Sequence, residues 1–136
     1  MIIEDYAPKG HSPLKGEASE DIYEGKFVHI VGPGDEYLCF SPRGLAKYHA
    51  NIAQGFSRRR EHLSFIMHPS GEDGRFATAG WTVQGGGRFR FKRAERVLEL
   101  WGSSKAYGDF DGPELQEKIK TVPGWEDLEI RIGEPV

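Results

Sequence analysis

Two short stretches of this 136-residue chain hold residues whose types and spacing suit them to chemistry. The first is AKYHANIAQGF, residues 46–56. Read as a helix, it places Leu45, His49, Ile52 and Phe56 near one stripe with Ala53 beside it, the spacing by which a helix buries a face. An imidazole on that stripe is either a filled core position or a base at the edge of a pocket. With an ordinary pKa of about 6.5 it is largely neutral at pH 7, able to take a proton from water or to attack an electrophile. The second stretch is GSSKAYGDF, residues 102–110, a loop leaving a strand. Its small residues let backbone N–H groups converge on an anion, and Ser104 and Lys105 add donors. The same composition also makes an ordinary solvated turn.

The elements that position these groups follow from hydrophobic periodicity. Residues 1–24 mix Pro8, Gly10, Pro13 and Gly16 with many charges and read as an N-terminal arm or irregular edge. In KFVHIV, Phe27, His29 and Val31 share one strand face and Val28 and Ile30 the other, with His29 expected to be buried and hydrogen-bonded. EYLCF is a short strand. A helix follows between Ser41 and Arg60, beginning either at Ser41–Pro42 or, because Gly44 interrupts it, near Tyr48. LSFIMH is a further strand. FATAGWTVQ and RFRFK are expected as two strands joined by Gly85, Gly86 and Gly87, with Phe89 and Phe91 opposite Arg88, Arg90 and Lys92. RVLELWG continues an antiparallel meander. GPELQEKIKTV is a second helix with Pro113 in its first turn and Leu115, Ile119 and Val122 inward, and DLEIRIG closes as a strand. The expected fold is α+β: a single mixed, mostly antiparallel sheet of about six strands with two helices packed on it. Residues 25–136 form one domain.

Composition narrows the function. A formal net charge of −3 argues against a general affinity for nucleic acid. RFRFKR, with its interleaved aromatics, falls short of an RNA-binding signature. Cys39 is the one cysteine, so no internal disulfide forms and a reducing compartment is favoured. Neither a signal peptide nor a membrane span is expected, and the location is read as cytoplasmic. There is no GxxxxGK[ST], HExxH, CxxC or GxSxG. Leu45 stands where a cysteine-dependent phosphatase would carry arginine, and DFDGP has Pro113 where an aspartate-nucleophile phosphatase carries Thr or Val. His62 and His68 are a poor metal pair.

Taken together, KYHANI, QGGGRF and WGSSKAYG, in this order, resemble the Janus/Ocnus family, which includes the small phosphohistidine phosphatases. The resemblance extends from about Lys26 to Ile130. It implies that His49 is the catalytic histidine, at a helix start whose free N–H groups bind anions. It places the family's strand-borne basic residue on Lys26 and the phosphate-holding loop on Ser104, Lys105 and Ala106. Tyr48 and Ala50 flank the histidine. The Gly-Gly-Gly-Arg element at 85–88 reads as structural. The implied activity is hydrolysis of the P–N bond of phosphohistidine in proteins, without metal or cofactor, by a monomer acting on phosphorylated proteins. His49 would serve as general base or as transient nucleophile. The alternative is a module that binds phosphoproteins without turning them over. Asn51 stands where the family has aspartate, Lys105 where it has an apolar residue and Ser103 where it has an aromatic. EHLSFIMHPSGEDGRFATAG is long enough to add a strand or hairpin.

Overall fold

The structure is a computed structural model that describes residues 1–17 and 20–134. Among these residues the chain order is β1 (Ile2–Asp5), a 3₁₀ turn at Pro13–Lys15, β2 (Ile22–Val31), β3 (Glu36–Pro42) and α1 (His49–Arg58). Then come β4 (Phe65–Met67), β5 (Gly74–Phe76), β6 (Thr82–Lys92), β7 (Val97–Trp101), α2 (Gly112–Ile119) and β8 (Glu129–Ile132). Six strands form one sheet in the order β1-β3-β2-β6-β7-β8. The inner pairings are antiparallel, and the two edge strands, β1 on β3 and β8 on β7, are parallel. The expected α+β fold, a mixed sheet with two helices, is what is found, with a separate β4–β5 hairpin added by the long segment after α1.

Alternation along β2 sets the two cores. Phe27 packs with Leu38, Phe40, Phe89, Leu98 and Leu100 beneath Leu115 and Ile119 of α2. Val28 and Ile30 point the other way and pack with Cys39 beneath Ile52, Ala53 and Phe56 of α1. The helices therefore lie on opposite faces. Burying a side chain of this size contributes roughly 1.5–3 kcal/mol, so each helix is held chiefly by its apolar face rather than by propensity. On β6, Phe89 and Phe91 are buried while Arg88 is exposed and Arg90 and Lys92 half-buried, as the alternation requires. Asp111 caps α2 by accepting from the Glu114 N–H at 3.0 Å, with Pro113 in the first turn.

Three expectations are corrected. The glycine run does not join two strands: Gly85, Gly86 and Gly87 lie inside the continuous strand β6, paired with β2. Glycine there serves close approach. A Cβ on Gly86 would sit 2.7 Å from the Phe27 carbonyl oxygen, and one on Gly87 would sit 2.5 Å from that of Trp101. The N-terminal segment is not only an arm, because Ile2–Asp5 pairs with β3 and Asp5 accepts hydrogen bonds from the Ser12 and Tyr23 hydroxyls. Last, Leu45 is not on the helix stripe: of the two expected starts the one near Tyr48 is found, since Ser41 and Pro42 belong to β3 and α1 begins at His49 with Tyr48 as its cap. Leu45 therefore lies outside the helix and is exposed.

Candidate active site at the start of α1

A cleft of about 240 Å³ opens between three pieces of chain: the start of α1, the 104–106 turn and the tip of the β4–β5 hairpin. It is lined by Tyr48 and His49, by Ser104, Lys105 and Ala106, and by His68, Ser70, Glu72 and Asp73. The sequence placed the first five of these together; the hairpin wall it did not foresee.

The His49 ring is 9 % exposed and its Nε2 lies 2.9 Å from the Gly87 carbonyl oxygen. A carbonyl only accepts, so Nε2 carries the proton and Nδ1 keeps its lone pair. Nδ1 has no hydrogen-bond partner among the described residues. Burial is the largest influence on this ring and lowers its pKa; the Gly87 bond pulls the other way, and the charges of Lys26 and Arg88 lower it further. The imidazole is thus neutral at pH 7, with one nitrogen fixed and the other free.

Around it are unspent donors. Asn51 Oδ1 accepts from the Tyr48 N–H at 2.9 Å, and the Asn51 N–H bonds back to the Tyr48 carbonyl at 3.0 Å. Among the described residues, the N–H groups of His49 and Ala50 have no partner, as expected for the first turn of a helix. Asn51 thus caps the first turn without placing a negative charge beside the ring. In the turn, Ser104 and Gly108 exchange two backbone bonds, of 3.0 and 2.7 Å, and Gly108 at φ +77° closes the loop. The Ser104 hydroxyl oxygen accepts from the Tyr107 N–H at 3.2 Å and keeps its own proton to donate. The N–H groups of Lys105 and Ala106 have no protein partner among the described residues. Such a row of main-chain donors suits an anion. The turn is tied to its neighbours by Gly86 N–H to Gly108 at 3.4 Å and by Tyr107 Oη–H to the Gly74 carbonyl at 2.8 Å. Burial pushes the Tyr107 phenol well above its usual range, so it stays protonated as a donor.

A Janus/Ocnus family model matches residues 39–127. The chain belongs to the Janus/Ocnus family. No curated protein matches it. The match spans β3 to α2 and so includes both walls of this Janus/Ocnus cleft that the sequence motifs had marked.

One residue expected at the site stands elsewhere. Lys26 does not line the cleft. Its ammonium donates to the Ala46 carbonyl at 3.3 Å and faces an adjoining depression with Glu24, Arg43, Arg88, Arg90 and Trp101. Burial, then the Arg88 charge, lowers its pKa. Its influence on His49 is through charge rather than contact. The Ala50 side chain is fully buried, while its N–H, the group expected to serve at the site, lies in the first turn of α1 with no partner among the described residues. Conversely, Gly87 and Arg88 act on the His49 ring, although Gly-Gly-Gly-Arg reads as purely structural from the sequence. Arg88 pairs in register with Lys26 across β2 and β6, a pairing that no signal within either strand announces. The His62 ring lies against Trp81, and His68 Nδ1 lies 2.9 Å from the Ser70 hydroxyl on the hairpin.

Proposed function

We propose that this Janus/Ocnus chain is a protein-histidine phosphatase that hydrolyses the P–N bond of phosphohistidine without a metal. The observation that carries the reading is one cleft holding a neutral imidazole, free at Nδ1, opposite a turn whose backbone N–H groups are unspent. The phosphoryl oxygens would be held by the N–H groups of Lys105 and Ala106, the Ser104 hydroxyl and the Lys105 ammonium, with the helix start contributing from the other side. Phosphoryl transfer asks the protein mainly for position and for charge stabilisation, and these groups supply both.

In the general-base form, water's oxygen bonds to phosphorus as the P–N bond breaks. Nδ1 takes the proton water gives up, and the departing imidazole nitrogen is protonated from solvent. Such a base contributes roughly 10²–10⁴-fold. In the nucleophilic form, Nδ1 bonds to phosphorus as the substrate's P–N bond breaks and the departing imidazole nitrogen takes a proton from solvent; in a second step water's oxygen bonds to phosphorus, the Nδ1–P bond breaks, and water's proton passes to Nδ1 and on to solvent. Both forms need Nδ1 unprotonated, which burial and the two cations maintain. The dianionic phosphoryl group, once seated, counteracts those cations and restores basicity to Nδ1 when it is needed.

The test is phosphate release from a phosphohistidine peptide by wild type and His49→Ala, with circular dichroism to verify folding. The expected result is loss of turnover in a folded variant. Turnover surviving in His49→Ala would end the assignment. A protein that binds a stable phosphohistidine-analogue peptide but never releases phosphate would be a binding module instead.

A further inference from the structure

We propose that the acidic tip of the β4–β5 hairpin makes the cleft selective for phosphoryl groups that have a positive charge beside them. The inference rests on the phosphatase reading for where the phosphoryl group sits. Glu72 spans the cleft: its Oε1 accepts from the Tyr48 hydroxyl at 3.2 Å, and its Oε2 lies 3.8 Å from the Lys105 ammonium. Asp73 lines the same wall, and Gly74, the next residue, is fixed to the turn by Tyr107. Facing them is the nine-tenths-buried His49, whose Nδ1 has no partner among the described residues. One end of the cleft is therefore an anion cradle and the other carries two carboxylates.

This polarity is unfavourable for a bare phosphate. Lys105 is 92 % exposed and held only by a long ion pair with Glu72, a contact of little strength in water. When a dianion enters the 104–106 turn, Lys105 is drawn to it and Glu72 loses its cation. Two carboxylates then face a dianion, and like charges at this range repel unless a cation lies between them. The substrate must bring that cation. It has two sources: the protonated ring of phosphohistidine itself, positive as the P–N bond breaks, or a lysine or arginine next to it in the substrate chain. A phosphoserine or phosphotyrosine in neutral surroundings offers neither.

The experiment compares wild type with Glu72→Gln/Asp73→Asn on three phosphoryl donors: phosphoimidazole, a phosphohistidine peptide with arginine on both sides, and the same peptide with alanine. The substitutions are isosteric and lie on an exposed tip, and a thermal melt verifies folding. Wild type should favour the arginine peptide over the alanine peptide by about fivefold in kcat/KM, the scale of one partly exposed ion pair, and high salt should shrink the ratio. If the flank is the source, the double variant loses this preference because it handles phosphoimidazole and the alanine peptide faster than wild type does. If the ring is the source, the double variant slows on all three donors. Unchanged rates on all three overturn the proposal. Should wild type turn over none of them, the phosphatase reading fails by itself. Selectivity is then read from binding of peptides carrying a stable phosphoryltriazole in place of phosphohistidine: tighter binding of the arginine form, lost in the variant, upholds the proposal, and equal or absent binding overturns it.

Discussion

Gly86→Ala tests whether the glycine run exists to seat the His49 ring. An alanine Cβ there would lie 2.7 Å from the Phe27 carbonyl oxygen and 3.0 Å from His49 Cδ2. The first contact is with backbone locked in the β2–β6 ladder, so it cannot yield cheaply. The second is with the ring, which can yield by turning off the 2.9 Å bond to Gly87. Overpacking of this kind costs about 1–3 kcal/mol. Replacing a strand glycine returns roughly 0.5–1 kcal/mol, since the unfolded chain then has less freedom to lose. The net loss is about 1–2 kcal/mol, or a melting point lower by roughly 4–8 °C for a domain of this size. Turnover should suffer more than stability, because a misplacement of about 1 Å at a reacting group costs on the order of 10²-fold. Gly55→Ala is the matched control. It lies in the same helix as His49, where a Cβ would make only an ordinary contact 3.8 Å from Tyr6. Helix propensity predicts that it stabilises the protein by up to about 1 kcal/mol with activity unchanged. Thermal melts and phosphate release on both variants decide the matter. A Gly86→Ala protein that melts and turns over like wild type would refute the argument that the ring depends on a bare backbone beneath it.

Four further outcomes are expected. Burial lowers the pKa of both His29 and His49 below the usual 6.5, so below that pH the unfolded chain binds more protons than the folded one. Stability is then full above about pH 6.5 and falls as pH drops through the folded-state values, which urea melts from pH 7.5 to 5 will show; the acid limb of kcat/KM should likewise lie below 6.5. Asn51→Asp restores a carboxylate to the first turn of α1. It should add roughly 0.3–1 kcal/mol of stability through the helix dipole and move the acid limb of the pH–rate profile upward, because a negative charge now favours the imidazolium. Tyr107→Phe removes the bond to Gly74 and should cost about 0.5–1.5 kcal/mol and raise KM, as measured by melting and steady-state kinetics. Lys92→Met strands the buried Glu99 carboxylate, whose Oε1 has the Lys92 ammonium at 3.7 Å and no hydrogen bond, and should lower stability by about 3 kcal/mol in a denaturant titration.

What the sequence made legible follows from which signals are local. Alternation in β2 and β6 and the 3.6-residue spacing in α1 and α2 fixed the apolar faces, since each face is written within a few residues. The motifs around His49 and the 104–106 turn were legible for the same reason. The continuity of β6 was not, because three successive glycines usually mark a turn. What keeps them extended is their neighbours: the Asp109–Phe110 backbone, the His49 ring and the Trp101 carbonyl, all distant in sequence. β1 was missed because four residues of mixed polarity carry no alternation, and their place is set by pairing with β3. Lys26 was placed at the site by the family resemblance alone. Only the fold shows that Ala46 holds its ammonium aside. Glu72 and Asp73 gave no signal at all, because a charged turn looks the same whether it faces solvent or a site.

The arrangement around His49 answers why a base should be buried so deeply. A surface imidazole at its ordinary pKa would be partly protonated near neutrality and free to rotate, so the nitrogen facing a substrate would vary. Burial removes the charge, and the Gly87 carbonyl removes the rotation by demanding a proton on Nε2. Both would make a poor base in isolation, since the imidazolium formed during reaction would be as unwelcome as the one excluded beforehand. Under the proposed phosphatase function, the substrate resolves this. Two negative charges delivered beside Nδ1 offset Lys26 and Arg88, so proton uptake becomes favourable only when a phosphoryl group is in place. Under the proposed function the base is conditional on its substrate, and the glycine-lined floor of β6 lets the ring sit where that condition applies.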